Sequence, residues 1–112
     1  MKKLAITTVC VGALGLFAGS ASAQDAAKGA KVYADQKCST CHAIAGKGNA
    51  KGALDDVGSK LSAAEIREWI VDPVGMTAKS KAARKPAMTA KYAALPKDDL
   101  DALVAYLSSL KK

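Results

Sequence analysis

Four stretches of the 112-residue chain carry a hydrophobic pattern, separated by two that carry none. Residues 4 to 19 are almost wholly apolar and show no period. From Asp25 to Lys37, Ala26, Ala30, Tyr33 and Ala34 recur at helical spacing, with Asp25 placed to cap the first turn. That face is narrow. Gly29, which costs about 1 kcal/mol in a helix interior relative to alanine, either marks a close approach of another backbone or is tolerated in a marginal helix, and this stretch alone leaves both open. A third stretch begins at Leu61-Ser62-Ala63-Ala64-Glu65-Ile66, where Ser62 and Glu65 have capping-box spacing and Leu61 and Ile66 that of a hydrophobic staple. Ile66, Trp69 and Ile70 follow as an inward stripe until Asp72-Pro73, because a residue before proline avoids the helical region. The fourth follows Pro96: Leu100, Leu103, Val104, Leu107 and Leu110 form one broad apolar face, Asp98, Asp99 and Asp101 suit its positive N-terminal end, and Lys111 and Lys112 lie beyond it. Between these, 43 to 60 contains four glycines and reads as loop, as does 74 to 95. The pattern predicts an all-α chain.

Charge and length change the reading of the first stretch. Lys2 and Lys3 precede the apolar run, and Ser20-Ala21-Ser22-Ala23 ends it in the small-x-small form of a cleavage site, so residues 1–23 are expected to be a signal peptide removed on export. A run of 16 residues falls short of the ~20 needed to cross a bilayer, and no stable membrane anchor is expected. Cys10 leaves with the peptide. Loss of Lys2 and Lys3 lowers the formal charge from +7 to +5, and residues 24–112 form one domain by length. A periplasmic location, which is oxidising, fits a remainder whose two cysteines both belong to one motif.

That motif is Cys38-Ser39-Thr40-Cys41-His42. Two cysteines three apart with histidine directly after the second are the pattern by which a haem is attached through its vinyl groups, the histidine ligating the iron. A thioredoxin-like redox pair would need a preceding strand, and none is patterned; a zinc site would need four ligands, and past residue 37 Cys38, Cys41 and His42 are the only Cys or His residues. A covalent haem also meets a shortage in the core. Residues 24–112 hold four aromatic side chains, Tyr33, Trp69, Tyr92 and Tyr106, and many of their apolar residues are alanines. The indole N–H of Trp69 needs an acceptor, which a haem propionate would supply.

A ligating imidazole gives its second N–H to a carbonyl or carboxylate, and a carbonyl near Gly52-Ala53-Leu54 is the expected partner of His42. Opposite histidine, iron in electron-transfer cytochromes commonly takes methionine. Met76 and Met88 are the candidates. Met88 is favoured, because Pro86 restricts its approach and Leu95 leads from it into the last helix, while Met76 reads as an ordinary loop or core methionine. A second histidine ligand is excluded, since His42 is the only histidine.

Gly29-x-x-x-Tyr33, the haem motif, Gly52 and Leu54, Trp69-Ile70, Pro86-x-Met88 and Leu103-Val104-Ala105-Tyr106-Leu107 together resemble the bacterial class I c-type cytochromes over nearly all of 24–112. The resemblance implies the small cytochrome c fold, with Gly29 and Tyr33 of the first helix crossing Leu103 and Tyr106 of the last and a third helix and loops around one haem. It also implies Met88 as distal ligand. The sequence departs from the family in having Ala53 where proline is frequent, and Thr89 where proline often follows the methionine.

The expected function is that of a monomeric periplasmic carrier passing single electrons between redox proteins, with no enzyme activity. The alternative is a haem protein whose distal ligand is labile and which senses a gas or activates peroxide. Methionine–histidine ligation closes the iron, and no distal acid or base is evident, which favours the carrier. Between Pro73 and Lys97 lie six basic residues, Lys79, Lys81, Arg84, Lys85, Lys91 and Lys97, and no acidic one, so acidic docking surfaces are the expected partners. Nucleic acid is not expected, because only Tyr92 interleaves the basic run.

Overall fold

The computed structural model describes residues 20–82 and 88–112. Five helices run in chain order, α1 (Ser20–Asp35), α2 (Val57–Lys60), α3 (Ala63–Val71), α4 (Pro73–Ser80) and α5 (Lys97–Ser108), with strands β1 (Ala43–Ile44) and β2 (Lys47–Gly48) forming one small hairpin. Short 3₁₀ turns occupy Cys38–Thr40, Ala50–Gly52 and Ala90–Ala94. The fold is mostly helical, as the patterning predicts. Apart from Ser20–Ala23, the expected signal peptide lies outside the described residues, as do Arg84, Lys85 and Pro86.

The core is built where α1 crosses α5, with α3 packed against α5. Val32 and Tyr33 from α1, Ile66 and Ile70 from α3, and Leu100, Leu103, Val104 and Leu107 from α5 form one buried cluster. Gly29 sets the crossing: a β-carbon there would run into the Ala102 carbonyl and the Tyr106 β-carbon, so the two backbones meet only because a side chain is missing. This decides between the two readings of Gly29 in favour of close approach. One turn on, the Tyr33 and Tyr106 rings meet edge to face at 6.0 Å.

The same contact corrects the predicted inward face of α1. Gly29, Val32 and Tyr33 are buried, Ala26 and Ala30 are half-buried, and Ala34 is exposed. The side that permits closest approach is buried, and the count of apolar residues did not register that glycine supplies it. The helix is already formed at Ser20, the first described residue, ahead of Asp25; it ends at Asp35, and Lys37 turns the chain at φ 56°.

α3 begins as expected. Glu65 N–H donates to Ser62 Oγ and Ser62 N–H to Glu65 Oε1, both at 3.2 Å, completing the capping box. Ile66 and Ile70 are buried, while Trp69 is only half-buried. The predicted loop after Pro73 is instead α4. Asp72 ends α3 and caps α4 through Gly75 N–H at 3.1 Å, and Pro73 takes the first helical position, where its missing N–H costs nothing. Asp-Pro therefore punctuates two helices, which a rule that reads proline only as a stop cannot foresee.

Three carboxylates are held below their ordinary range by partners in the fold, from which acid sensitivity is expected. The Ser62 backbone N–H holds Glu65 below the usual range, the Lys112 backbone N–H does so for Asp56, and Lys97 with Arg67 for Asp101, which Lys97 meets at 2.7 Å. Their folded pKa values lie below the ordinary 3.8 for Asp and 4.5 for Glu. Each contribution is complete above those ordinary values and is lost as pH falls through the folded ones. The groups are exposed, so a modest fall in denaturation midpoint is expected below pH ~4.5, and Glu65→Gln, which can keep the box, should flatten part of it. A midpoint constant from pH 7 to 3 would contradict this.

Candidate haem site

The expected site residues leave α1 through the left-handed turn at Lys37 and enter the 3₁₀ turn Cys38–Thr40. The Cys38 carbonyl accepts from Cys41 N–H at 3.1 Å and from His42 N–H at 3.0 Å, which folds both cysteines and the histidine into one compact loop. Cys38 is half-buried against the core, Cys41 is exposed and His42 is half-buried. Burial pushes the Cys38 thiol up, so it is protonated at neutral pH before any bond to carbon forms.

His42 is oriented from the far side of the loop. Its Nδ1 lies 2.9 Å from the Gly52 carbonyl oxygen. A carbonyl only accepts, so Nδ1 carries the proton, and in the neutral ring this leaves the lone pair on Nε2, the tautomer a metal-ligating imidazole requires. The expectation of a carbonyl near Gly52-Ala53-Leu54 is met. Asn49 holds that carbonyl in place: its side chain accepts from Lys51 N–H at 3.1 Å, and its own carbonyl accepts from Gly52 N–H at 3.0 Å.

The β1–β2 hairpin, which no alternation in the sequence announces, ties the loop together. Ala45 and Gly46 have φ of 51° and 77°, the signs of a type I′ turn, and Ala45 N–H donates to Asp55 Oδ1 at 2.7 Å. Alanine at positive φ is uncommon, so the Asp55 contact stands in for the usual Asn-Gly signal. Asn49 N–H donates to the His42 carbonyl at 3.0 Å, and a β-carbon on Gly48, at φ 109°, would collide with that carbonyl. Gly48 is thus the residue that lets the hairpin close on the histidine.

Ala53, where the family often has proline, has φ −58° and ψ 132°, the backbone a proline imposes. Ala53→Pro is expected to raise holoprotein stability by about 0.4–1 kcal/mol by restricting the unfolded chain, read as a higher thermal midpoint; a lower midpoint would show that the loop needs the freedom of alanine.

Of the two methionines, Met76 is 7% exposed within α4, whereas Met88 is half-buried and packs on the core beside the last 3₁₀ turn. Cys38, Leu54, Met88, Tyr92 and Leu95 all contact the closed core without being closed themselves. These residues fit a haem. The chain offers an imidazole held in the ligating tautomer, two cysteines on the adjoining turn, a thioether, and apolar side chains whose outer surfaces the protein alone leaves uncovered.

Comparison with known proteins agrees. The sequence model of the family described as Cytochrome c matches residues 26–111. The chain is 30% identical over 93 residues to cytochrome c oxidase subunit 2 of Alkalihalophilus pseudofirmus, an alignment that takes in 75% of this chain and 25% of that protein. The chain thus spans about a quarter of the length of that relative. No solved structure matches it. With the haem motif, the oriented histidine and the helix crossing inside the matched region, the chain belongs to the cytochrome c family, as a class I c-type cytochrome with covalently bound haem c.

Proposed function

We propose that this protein, an electron-transfer haem protein by family, is a periplasmic one-electron carrier whose haem is joined to Cys38 and Cys41 and ligated by His42 Nε2 and Met88. The bound haem supplies an iron that cycles between ferrous and ferric states, and the protein decides what reaches that iron. The observation that carries the reading is the 2.9 Å bond from His42 Nδ1 to Gly52, because it fixes the proton, the ring orientation and the basicity of the proximal ligand at once. Met88, a soft neutral donor, favours the ferrous state and fills the position a gas or peroxide would need. Among the described residues no helix is long and apolar enough to cross a membrane; export with cleavage after Ala23 rests on the charged, apolar and small-residue order of residues 1–23.

Lys79, Lys81, Lys91 and Lys97 are exposed on the segment that contains Met88, and Lys91 Nζ lies 5.0 Å from the centre of the Tyr92 ring. Positive charge there suits acidic redox partners, which it would steer by ~10 to 10³-fold in rate. Two readouts on the exported holoprotein test the function. Carbon monoxide added to the reduced form should leave the spectrum unchanged, and electron exchange with an acidic redox protein should slow steeply as salt rises from low to ~0.5 M. Rapid carbon monoxide binding would instead support the gas-sensing or peroxidase-like reading, and a salt-insensitive rate would move docking away from this segment.

A further inference from the structure

His42 is gripped at two points, its backbone and its ring, and Asn49 reaches both. Asn49 N–H donates to the His42 carbonyl at 3.0 Å and to the Ser39 carbonyl at 3.2 Å, which ties the histidine and the turn after Cys38 to the end of the hairpin. The Asn49 carbonyl accepts from Gly52 N–H at 3.0 Å, and its side-chain Oδ1 accepts from Lys51 N–H at 3.1 Å. These bonds open the 3₁₀ turn Ala50–Gly52, whose last carbonyl is the one that meets His42 Nδ1 at 2.9 Å. Asn49 itself has φ −89° and ψ 107°, the extended backbone of a capping residue, and is half-buried. A 3₁₀ turn has poorer hydrogen-bond geometry than an α-helix, so in three residues the cap decides how firmly the final carbonyl is aimed. That aim reaches the iron. A firm bond from Nδ1–H makes the imidazole a more basic ligand, and a more basic ligand favours ferric iron.

We propose that the Asn49 side chain is a positioning residue for the redox chemistry of the haem: by capping the Ala50–Gly52 turn it holds the Gly52 carbonyl on His42 Nδ1–H and thereby lowers the reduction potential. The proposal rests on the reading of His42 as the iron ligand.

The test compares five holoproteins: wild type, Asn49→Ala, Asn49→Gly, Asn49→Ser and Gly29→Ala. Proton NMR of the reduced wild type comes first: His42 ring protons without the large ring-current shift of an imidazole set over a haem overturn the ligand reading itself. With that shift present, the Nδ1 proton should exchange slowly with water, and in Asn49→Ala it should exchange severalfold faster. The potential of Asn49→Ala should rise, so that at a fixed ambient potential the ferrous-to-ferric ratio grows severalfold. Asn49→Gly, a milder loss at a capping position, should move both readouts the same way and serves where the alanine protein does not accumulate. Asn49→Ser keeps an oxygen that can accept from the same N–H and should match the wild type in both. Gly29→Ala, expected to weaken the fold at the helix crossing, should leave the potential in place. A potential unmoved by Asn49→Ala or Asn49→Gly overturns the proposal. A rise without faster exchange of the Nδ1 proton, or one that Asn49→Ser or Gly29→Ala shares, also overturns it, because the shift then comes from general loosening and not from the cap.

Discussion

Met88→Ala is expected to lower the reduction potential by on the order of hundreds of millivolts, a large part of the ≈ 0.8 V that axial ligands command. The thioether stabilises ferrous iron, and loss of it hands the position to water or hydroxide, which favour the ferric state. The weak sulfur-to-iron absorption of the oxidised protein should vanish with it. Met76→Ala is expected to leave both readouts in place and to cost stability instead, about 2–5 kcal/mol for a buried methionine, since Met76 is sealed within α4. If Met76→Ala moves the potential and Met88→Ala does not, the ligand is Met76. If neither moves it, the iron has another partner.

Gly29→Ala is expected to lower holoprotein stability by about 2 kcal/mol. Intrinsic helix preference pushes the other way by about 1 kcal/mol in favour of alanine, so the sign rests on what the added carbon meets. It meets the Ala102 carbonyl, part of a helix backbone that cannot rotate aside, and the base of the Tyr106 side chain. Overpacking of this kind typically costs 1–3 kcal/mol, and a rigid neighbour places it at the top of that range. At 4–8 °C per kcal/mol for a domain of this size, the thermal midpoint should drop by roughly 10 °C. An unchanged or higher midpoint would mean that the two helices separate cheaply, and that the crossing does not anchor the fold.

Much of this architecture is legible in the residues, and the parts that are not have two causes. α5 and α3 announce themselves because each carries a long apolar stripe with recognisable terminal chemistry, and Ser62 and Glu65 pair as their spacing implies. The partner of His42 is foreseeable because a ligating ring needs a carbonyl and the chain returns past it near Gly52. α4 is not foreseeable from Pro73 read as a stop, since the residue that starts it, Asp72, belongs to two helices at once. Nor is the hairpin, whose turn puts Ala45 at positive φ and depends on Asp55 ten residues away. The periodicity puts Ala26, Ala30, Tyr33 and Ala34 on the inward face of α1, and of these Tyr33 is buried, but the decisive residue is Gly29, which has no side chain. At the hairpin and on α1 local rules fail because a distant group supplies the missing half of an interaction, whereas at α4 one residue plays two local roles. Pro86, whose restricted backbone favours Met88 in the sequence, lies outside the described residues.

The meeting of α1 with α5 also fixes an order of events. The two helices stand at opposite ends of the domain, so the buried cluster cannot close until the last residues of α5 have arrived, and the long intervening loop must be gathered in first. A chain whose C-terminal part has not yet been made has α1 without α5, with nothing for Val32 and Tyr33 to pack on. During that interval Cys38 and Cys41, the proposed points of haem attachment, lie on an open stretch of polypeptide. The placement of its two terminal helices thus gives the protein a built-in delay, in which covalent chemistry can be completed before the surrounding structure shuts.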